Sequence, residues 1–245
     1  MIRRSLFLLP LFLFFLPVTG EAFDQTHSQW TTLLSQYVHE GRVDYQGFLK
    51  EKIILDQYLQ ELVSPTQKEF RKWTKDQQLA FWINAYNAFT VKIILDRYPV
   101  KSIKRVPGVW DRFTFNAAGQ RVTLNQIEHF ILRAEFREPR IHMAIVCASK
   151  GCPPLRNEAY MAAKLDEQLD DNATQFFKDP LKAQWNPKKN TLLLSPIFSW
   201  FHEDFGSPRN LLLFVKKYLP EEIANQIEEG KTDVRWLAYD WSLNE

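Results

Sequence analysis

A helix-rich α+β fold is what this sequence predicts, and three observations carry the prediction. Eight Trp and 14% aromatic residues stand beside only eight Gly, a balance that favours large packed helices over a glycine-rich barrel. Long stretches repeat their apolar residues at helical spacing. Between them lie short runs flanked by turn residues, enough for a small antiparallel sheet. The roughly 220 residues after the leader can bury one sizeable core, so a single globular domain over residues 23–245 is expected.

The leader comes first. Arg3 and Arg4 precede an almost wholly apolar run from Ser5 to Leu16, Pro17 breaks it, and Gly20 and Ala22 are small. This is the layout of a cleavable signal peptide over residues 1–22. A membrane span needs about 20 apolar residues, and this run is shorter and contains Pro10. The mature protein is therefore expected to be periplasmic or secreted, with no integral membrane segment after processing. Basic and acidic residues nearly balance, 31 against 29, so no nucleic-acid partner is expected.

Residues 27–40 place Trp30, Leu33, Leu34, Tyr37 and Val38 on one stripe, an amphipathic helix that Gly41 ends. Residues 43–45 form a short strand or extended link. A second helix covers about 48–62 and stops at Ser64-Pro65; a short third covers 67–73. Thr74 and Gln77 make a capping box, each side chain satisfying a free backbone donor. It opens the longest helix, about 75–97, which is apolar nearly all round from Leu79 to Leu95 and so should be buried on several sides. Asn84 and Asn87 interrupt that helix on one face. A buried amide left unpaired costs about 1–3 kcal/mol, so the two either tie a neighbouring loop to the helix or line a site.

Residues 112–115 and 120–123 flank the turn-rich 116–119 and read as a hairpin. Asn125 and Glu128 repeat the capping-box pattern at the start of a helix to about residue 133, which gives Glu128 a cap role. Farther on, 158–178, 209–218 and 220–229 read as helices, and 191–194 and 235–241 as strands. Trp200, Phe201 and Phe205 are assigned to packing. Asp240 either bonds internally or faces a site.

Residues 139–155 are the most chemically suggestive. Both cysteines of the chain, Cys147 and Cys152, follow His142 closely. A cysteine pair in an exported chain ordinarily reads as a disulfide. A bridge closing so small a loop would add little by restricting the unfolded chain, so two free thiols are expected. The competing reading is a nucleophile activated by His142. Zinc through His142, Cys147 and Cys152 lacks a fourth ligand and the usual knuckle spacing, so no metal is expected, and no cofactor either.

If residues 141–147 form a strand, His142 and Cys147 point to opposite faces. If they form a helix, five steps of about 100° set the two about 140° apart. Cys152, in a loop after Gly151, is the better partner for His142. Cys147 is then a small buried residue, or the alternative nucleophile.

Four runs resemble domain-of-unknown-function family 547. They are Phe81-Trp82-Ile83-Asn84-Ala85-Tyr86-Asn87-Ala88; Leu124-Asn125-x-Ile127-Glu128; His142-x-Ala144-Ile145-Val146-Cys147-Ala148-Ser149-x-Gly151-Cys152-Pro153; and Tyr239-Asp240-Trp241-Ser242-Leu243-Asn244. The resemblance spans nearly all of residues 23–245, and members of that family are often secreted bacterial proteins. It implies a helix-rich α+β fold and a site similar to those of cysteine peptidases or transglutaminase-like enzymes. Carried over, the catalytic candidates are Glu128, His142 and Cys152, with Cys147 as alternative nucleophile and Asn84 and Asn87 nearby. His27, His39, His129 and His202 are structural or solvated.

Two functions follow as expectations. One is a cysteine-dependent hydrolase or acyl transferase acting on an amide, in a peptide or cell-envelope substrate. There Cys152 attacks, His142 takes its proton, Glu128 orients the imidazole, and Asn84 or Asn87 helps hold an oxyanion. The other is a non-catalytic envelope domain that binds a peptide or protein, with the same cluster as structure. A redox role for the cysteine pair is a lesser third, since the spacing is not Cys-x-x-Cys.

Overall fold

Three helices, α1 (Ser28–Tyr37), α2 (Lys52–Val63) and α3 (Lys75–Leu95), organise the first part of the computed structural model, which describes residues 22–245. The expected signal peptide, residues 1–22, lies outside the described residues except for Ala22. The Thr74–Gln77 box forms as expected: Gln77 N–H donates to the Thr74 hydroxyl at 3.2 Å, and Thr74 N–H donates to Gln77 Oε1 at 2.9 Å. Every residue of α3 from Leu79 to Leu95 except Lys92 is buried. An all-round apolar helix has no solvent face to offer, and α3 is accordingly the central post against which α2 and a later π-helix pack.

That later helix, Gln126–Phe136, departs from expectation in type and in its cap. Its hydrogen bonds run to the fifth residue, a winding often found at functional sites. The reciprocal cap is made by Thr123 and Gln126, at 2.9 and 3.2 Å, two residues earlier than the Asn125–Glu128 pattern. Glu128 is therefore not a cap residue.

The sheets are small. β1 (Val38–His39) pairs with β2 (Arg42–Val43), and β3 (Phe115–Ala117) with β4 (Gln120–Val122), both antiparallel. β5 (Ala183–Asn186), β6 (Thr191–Leu194) and β7 (Asp233–Trp236) form a three-stranded sheet in that order. β5–β6 is antiparallel, but β6–β7 is parallel, with Leu192 opposite Val234. A parallel pair needs a long crossover. Helices α5 (Pro208–Val215) and α6 (Glu221–Glu228) supply it. The architecture is helix-rich α+β.

The expected last strand ends early. Residues 237–245 instead run as a tail along the cysteine loop. Lys150 N–H donates to Ser242 O and Gly151 N–H to Asp240 O, each at 2.8 Å, and Asn244 N–H reaches Ala148 O at 3.3 Å.

Apolar side chains gather in two clusters. The larger joins α1, α2, α3, the π-helix and residues 141–155. The smaller joins Ala173, Phe176 and Phe177 of α4 (Leu165–Lys178) to β6, Phe198, Phe205, α5 and α6. Tyr239 packs against both. Among the described residues, no helix is long and apolar enough to cross a membrane.

Candidate active site

Between Pro139 and Met143 the chain makes a 3-10 helix, then runs without regular structure through Cys147. It is neither the strand nor the α-helix considered from sequence. His142 is buried, its side chain 1% exposed, and its ring stacks on Phe201 at 4.2 Å. Nε2 lies 2.6 Å from Asp204 Oδ2. Arg133, projecting from the π-helix, grips the same carboxylate through Nε at 2.5 Å and a terminal nitrogen at 3.0 Å.

Burial pushes the Asp204 carboxyl up, but hydrogen bonds from His142 and Arg133 outweigh it and hold the group well below the usual carboxylate range. Burial also lowers the pKa of His142, and the bond and charge of Asp204 oppose that without reversing it. The lowered pKa favours the neutral imidazole and the carboxylate fixes its ring, the arrangement an acid–base histidine requires. The residue that orients His142 is thus Asp204, not Glu128.

Glu128 occupies a different place in the same neighbourhood. Its Oε2 accepts the Tyr86 hydroxyl proton at 3.0 Å. Burial raises its pKa to about 7, against the opposing Tyr86 hydrogen bond and Arg133 charge. A carboxyl that keeps its proton to neutrality can donate it, the property of a general acid.

The cysteines correct the expectation of free thiols: Cys147 and Cys152 are joined, with Cα atoms 6.0 Å apart. Cys152 Sγ accepts Cys147 N–H at 2.9 Å. The Ser149 hydroxyl lies 3.3 Å from each sulfur and the Tyr239 hydroxyl 3.2 Å from each. Ala148, between the cysteines, holds φ at 55°, a left-handed conformation that costs a residue with a Cβ roughly 1–2 kcal/mol. Gly151 lets the Tyr239 ring approach, because a Cβ there would stand 2.7 Å from a ring carbon.

Asn84 and Asn87 resolve to the packing alternative. Asn84 donates to Tyr160 O at 2.8 Å and accepts Tyr160 N–H at 2.9 Å. Asn87 does the same with Ala144 O, at 3.0 Å, and Val146 N–H, at 2.8 Å. Each amide binds backbone through its oxygen and one N–H, and neither side chain lines the pocket that holds Glu128 and His142. Their effect on the site is indirect: Asn87 fixes the chain between His142 and Cys147 to the central helix.

Glu128, His142, Cys147 and Cys152 line one pocket of about 370 Å³, walled by Tyr86, Trp110, Trp200, Phe201, Tyr239 and Trp241. Trp200 is 48% exposed and stacks on Trp241 at 5.8 Å. With Phe201 stacked on His142, only Phe205 of the three aromatics assigned to packing is wholly core. His129 also reaches the pocket, with Nδ1 2.8 Å from an Arg133 nitrogen. His27 is buried against the Tyr58 hydroxyl at 2.7 Å, and His39 and His202 are exposed. Asp240 bonds internally, to Ser242. Among the described residues, no group of three His, Cys, Asp or Glu is placed to hold a metal ion.

Asp204, Tyr86, Trp110 and Tyr239 escaped the sequence reading as site residues. Asp204 is 62 positions from its histidine. Its one sequence signal was an acidic residue amid aromatics, a setting in which a carboxylate needs a partner.

Fold and pocket define a helix-rich α+β protein that gathers a histidine–carboxylate pair, a buried acid and a cysteine pair at an aromatic cleft. Residues 70–177 match the family model described as "Protein of unknown function, DUF547". The matched segment includes Tyr86, Glu128, His142 and both cysteines, and ends before Asp204 and Tyr239. No curated protein and no solved structure matches the chain, so the likeness to cysteine peptidases or transglutaminase-like enzymes has no structural counterpart to support it.

Proposed function

We propose that the protein is an exported cysteine-dependent hydrolase or acyl transferase that acts on an amide or peptide-like substrate when its cysteines are reduced. The observation that carries this reading is the convergence of His142–Asp204, Glu128 and the cysteine pair on one cleft. In the reduced protein, the Cys152 thiolate adds to the substrate carbonyl carbon. His142, held by Asp204, moves the proton, and Glu128 donates to the departing amine or holds the carbonyl oxygen. Water, or a second amine, then releases the acyl group from sulfur. The aromatic walls favour a substrate with an apolar or ring-bearing face.

The test is turnover of p-nitrophenyl acetate and a fluorogenic peptide-amide panel by oxidised and reduced protein. Activity is expected only after reduction, lost in Cys152→Ala and lowered roughly 10²- to 10⁴-fold in His142→Ala. The bond between the sulfurs favours the second reading, a binding domain whose cluster is structural. Reduced, folded protein without turnover, or a Cys152→Ala variant as active as wild type, decides for it. Export is read from residues 1–22: N-terminal sequencing of protein from the periplasm or medium should begin at Phe23, and intact Met1 in the membrane fraction would refute it.

A further inference from the structure

The two sulfurs of the disulfide are chemically unequal. Cys152 is 4% exposed and its Sγ alone accepts a backbone N–H, that of Cys147 at 2.9 Å, while the Ser149 and Tyr239 hydroxyls lie equally near both sulfurs, at 3.3 and 3.2 Å. The Ser149 hydroxyl has one proton; given to the Tyr239 oxygen, 3.2 Å away, it leaves the tyrosine proton free for sulfur. Both cysteines line the aromatic cleft, but Cys147 is only half-buried where Cys152 is buried. A thiolate surrounded by donors is stabilised and leaves readily, while attack falls on the sulfur that can be reached.

We propose that the Cys147–Cys152 disulfide undergoes thiol–disulfide exchange with small thiols entering the cleft, Cys147 being the attacked sulfur and Cys152 the leaving thiolate. The incoming thiolate bonds to Cys147 Sγ as the bond between the two cysteine sulfurs breaks, and the electron pair of that bond goes to Cys152. A second thiolate attacks the external sulfur of the mixed disulfide, releases a symmetric disulfide, and leaves Cys147 as a thiolate that takes a proton from water. Two external thiols are oxidised and one protein disulfide is reduced. The reaction needs no acyl substrate, so it stands apart from the hydrolase reading and holds equally for a binding domain.

The test treats the folded full chain with 2-mercaptoethanol, quenches in acid at intervals, blocks thiols with N-ethylmaleimide and maps the peptides by mass spectrometry. The expected trapped species carries mercaptoethanol on Cys147 and maleimide on Cys152. Tyr239→Phe removes one donor and should slow reduction roughly fivefold, the worth of one hydrogen bond. Ser149→Ala, a smaller change to the packing, should act in the same direction. An adduct on Cys152, reduction only after unfolding in urea, or full-rate reduction of both variants overturns the proposal. Two maleimide-labelled thiols in untreated, unfolded protein also overturn it.

Discussion

Glu128 is the residue through which pH should act most visibly. Burial raises its pKa from 4.5 to about 7, so between those values the folded chain keeps a proton that the unfolded chain has lost. Stability from this group therefore falls as pH rises from about 4.5 to about 7 and is level above. Burial lowers the pKa of His27 to about 4 and also lowers that of His142. Those two act oppositely: their stability is present above the unfolded histidine value and is lost as pH falls. Glu128→Gln removes only the carboxyl. In urea titrations from pH 5 to 8, wild type should lose ground to Glu128→Gln by up to about 3 kcal/mol as pH rises. A difference independent of pH would return Glu128 to the ordinary carboxylate range and remove it as a general acid.

At the scale of elements, the cleft depends on a tail, a loop and a helix of unusual winding. In the π-helix, residues four and five apart share a face, which aims Glu128 and His129 at the pocket while Arg133 reaches Asp204. The 237–245 tail lies along the cysteine loop and places Tyr239 over Gly151. Gly151→Ala puts a methyl 2.7 Å from that ring, closer than packed atoms tolerate, so the ring must move off the sulfurs. The expected outcome is a cooperatively folded protein, destabilised by about 1–3 kcal/mol, whose tryptophan fluorescence changes because Trp200 and Trp241 both contact Tyr239. Unchanged fluorescence and stability would mean that the tail is not seated on the loop.

Over the whole molecule, the cleft lies where the two apolar clusters meet. Tyr86, Glu128 and His142 come from the larger side; Ile197, Trp200 and Phe201 come from the region of the smaller one. A site on such a seam is completed only when both sides are folded. A fragment of residues 22–178 keeps the entire family-matched segment but loses Asp204, the three-stranded sheet and the cover over Phe176 and Phe177. It should show no cooperative urea transition by circular dichroism and should associate through the uncovered apolar face. A sharp transition near that of the full chain would make the C-terminal part an appendage to the site.

Local physics settled the helices and their starts. The all-round apolar run of α3, the Thr74 box and β6 depend on residues a few positions apart and lie where periodicity and capping chemistry put them. The hairpin forms with its first strand at Phe115–Ala117, later than the expected 112–115, because Asn116 and Ala117 pair with Arg121 and Gln120. The pocket was half legible: Glu128, His142 and both cysteines are drawn together there, whereas Asn84 and Asn87 bind backbone instead. Everything decided by long-range pairing stayed hidden. Asp204 reaches His142 across 62 residues, β7 joins β6 in parallel through two helices, and Tyr239 comes back over a loop some 90 residues earlier. Periodicity reports which face of an element is apolar, not which other element covers it. The choice of His142's carboxylate, the winding of the π-helix and the joining of Cys147 to Cys152 belong to the tertiary structure, because each is settled by groups that only folding brings within hydrogen-bond or bonding distance.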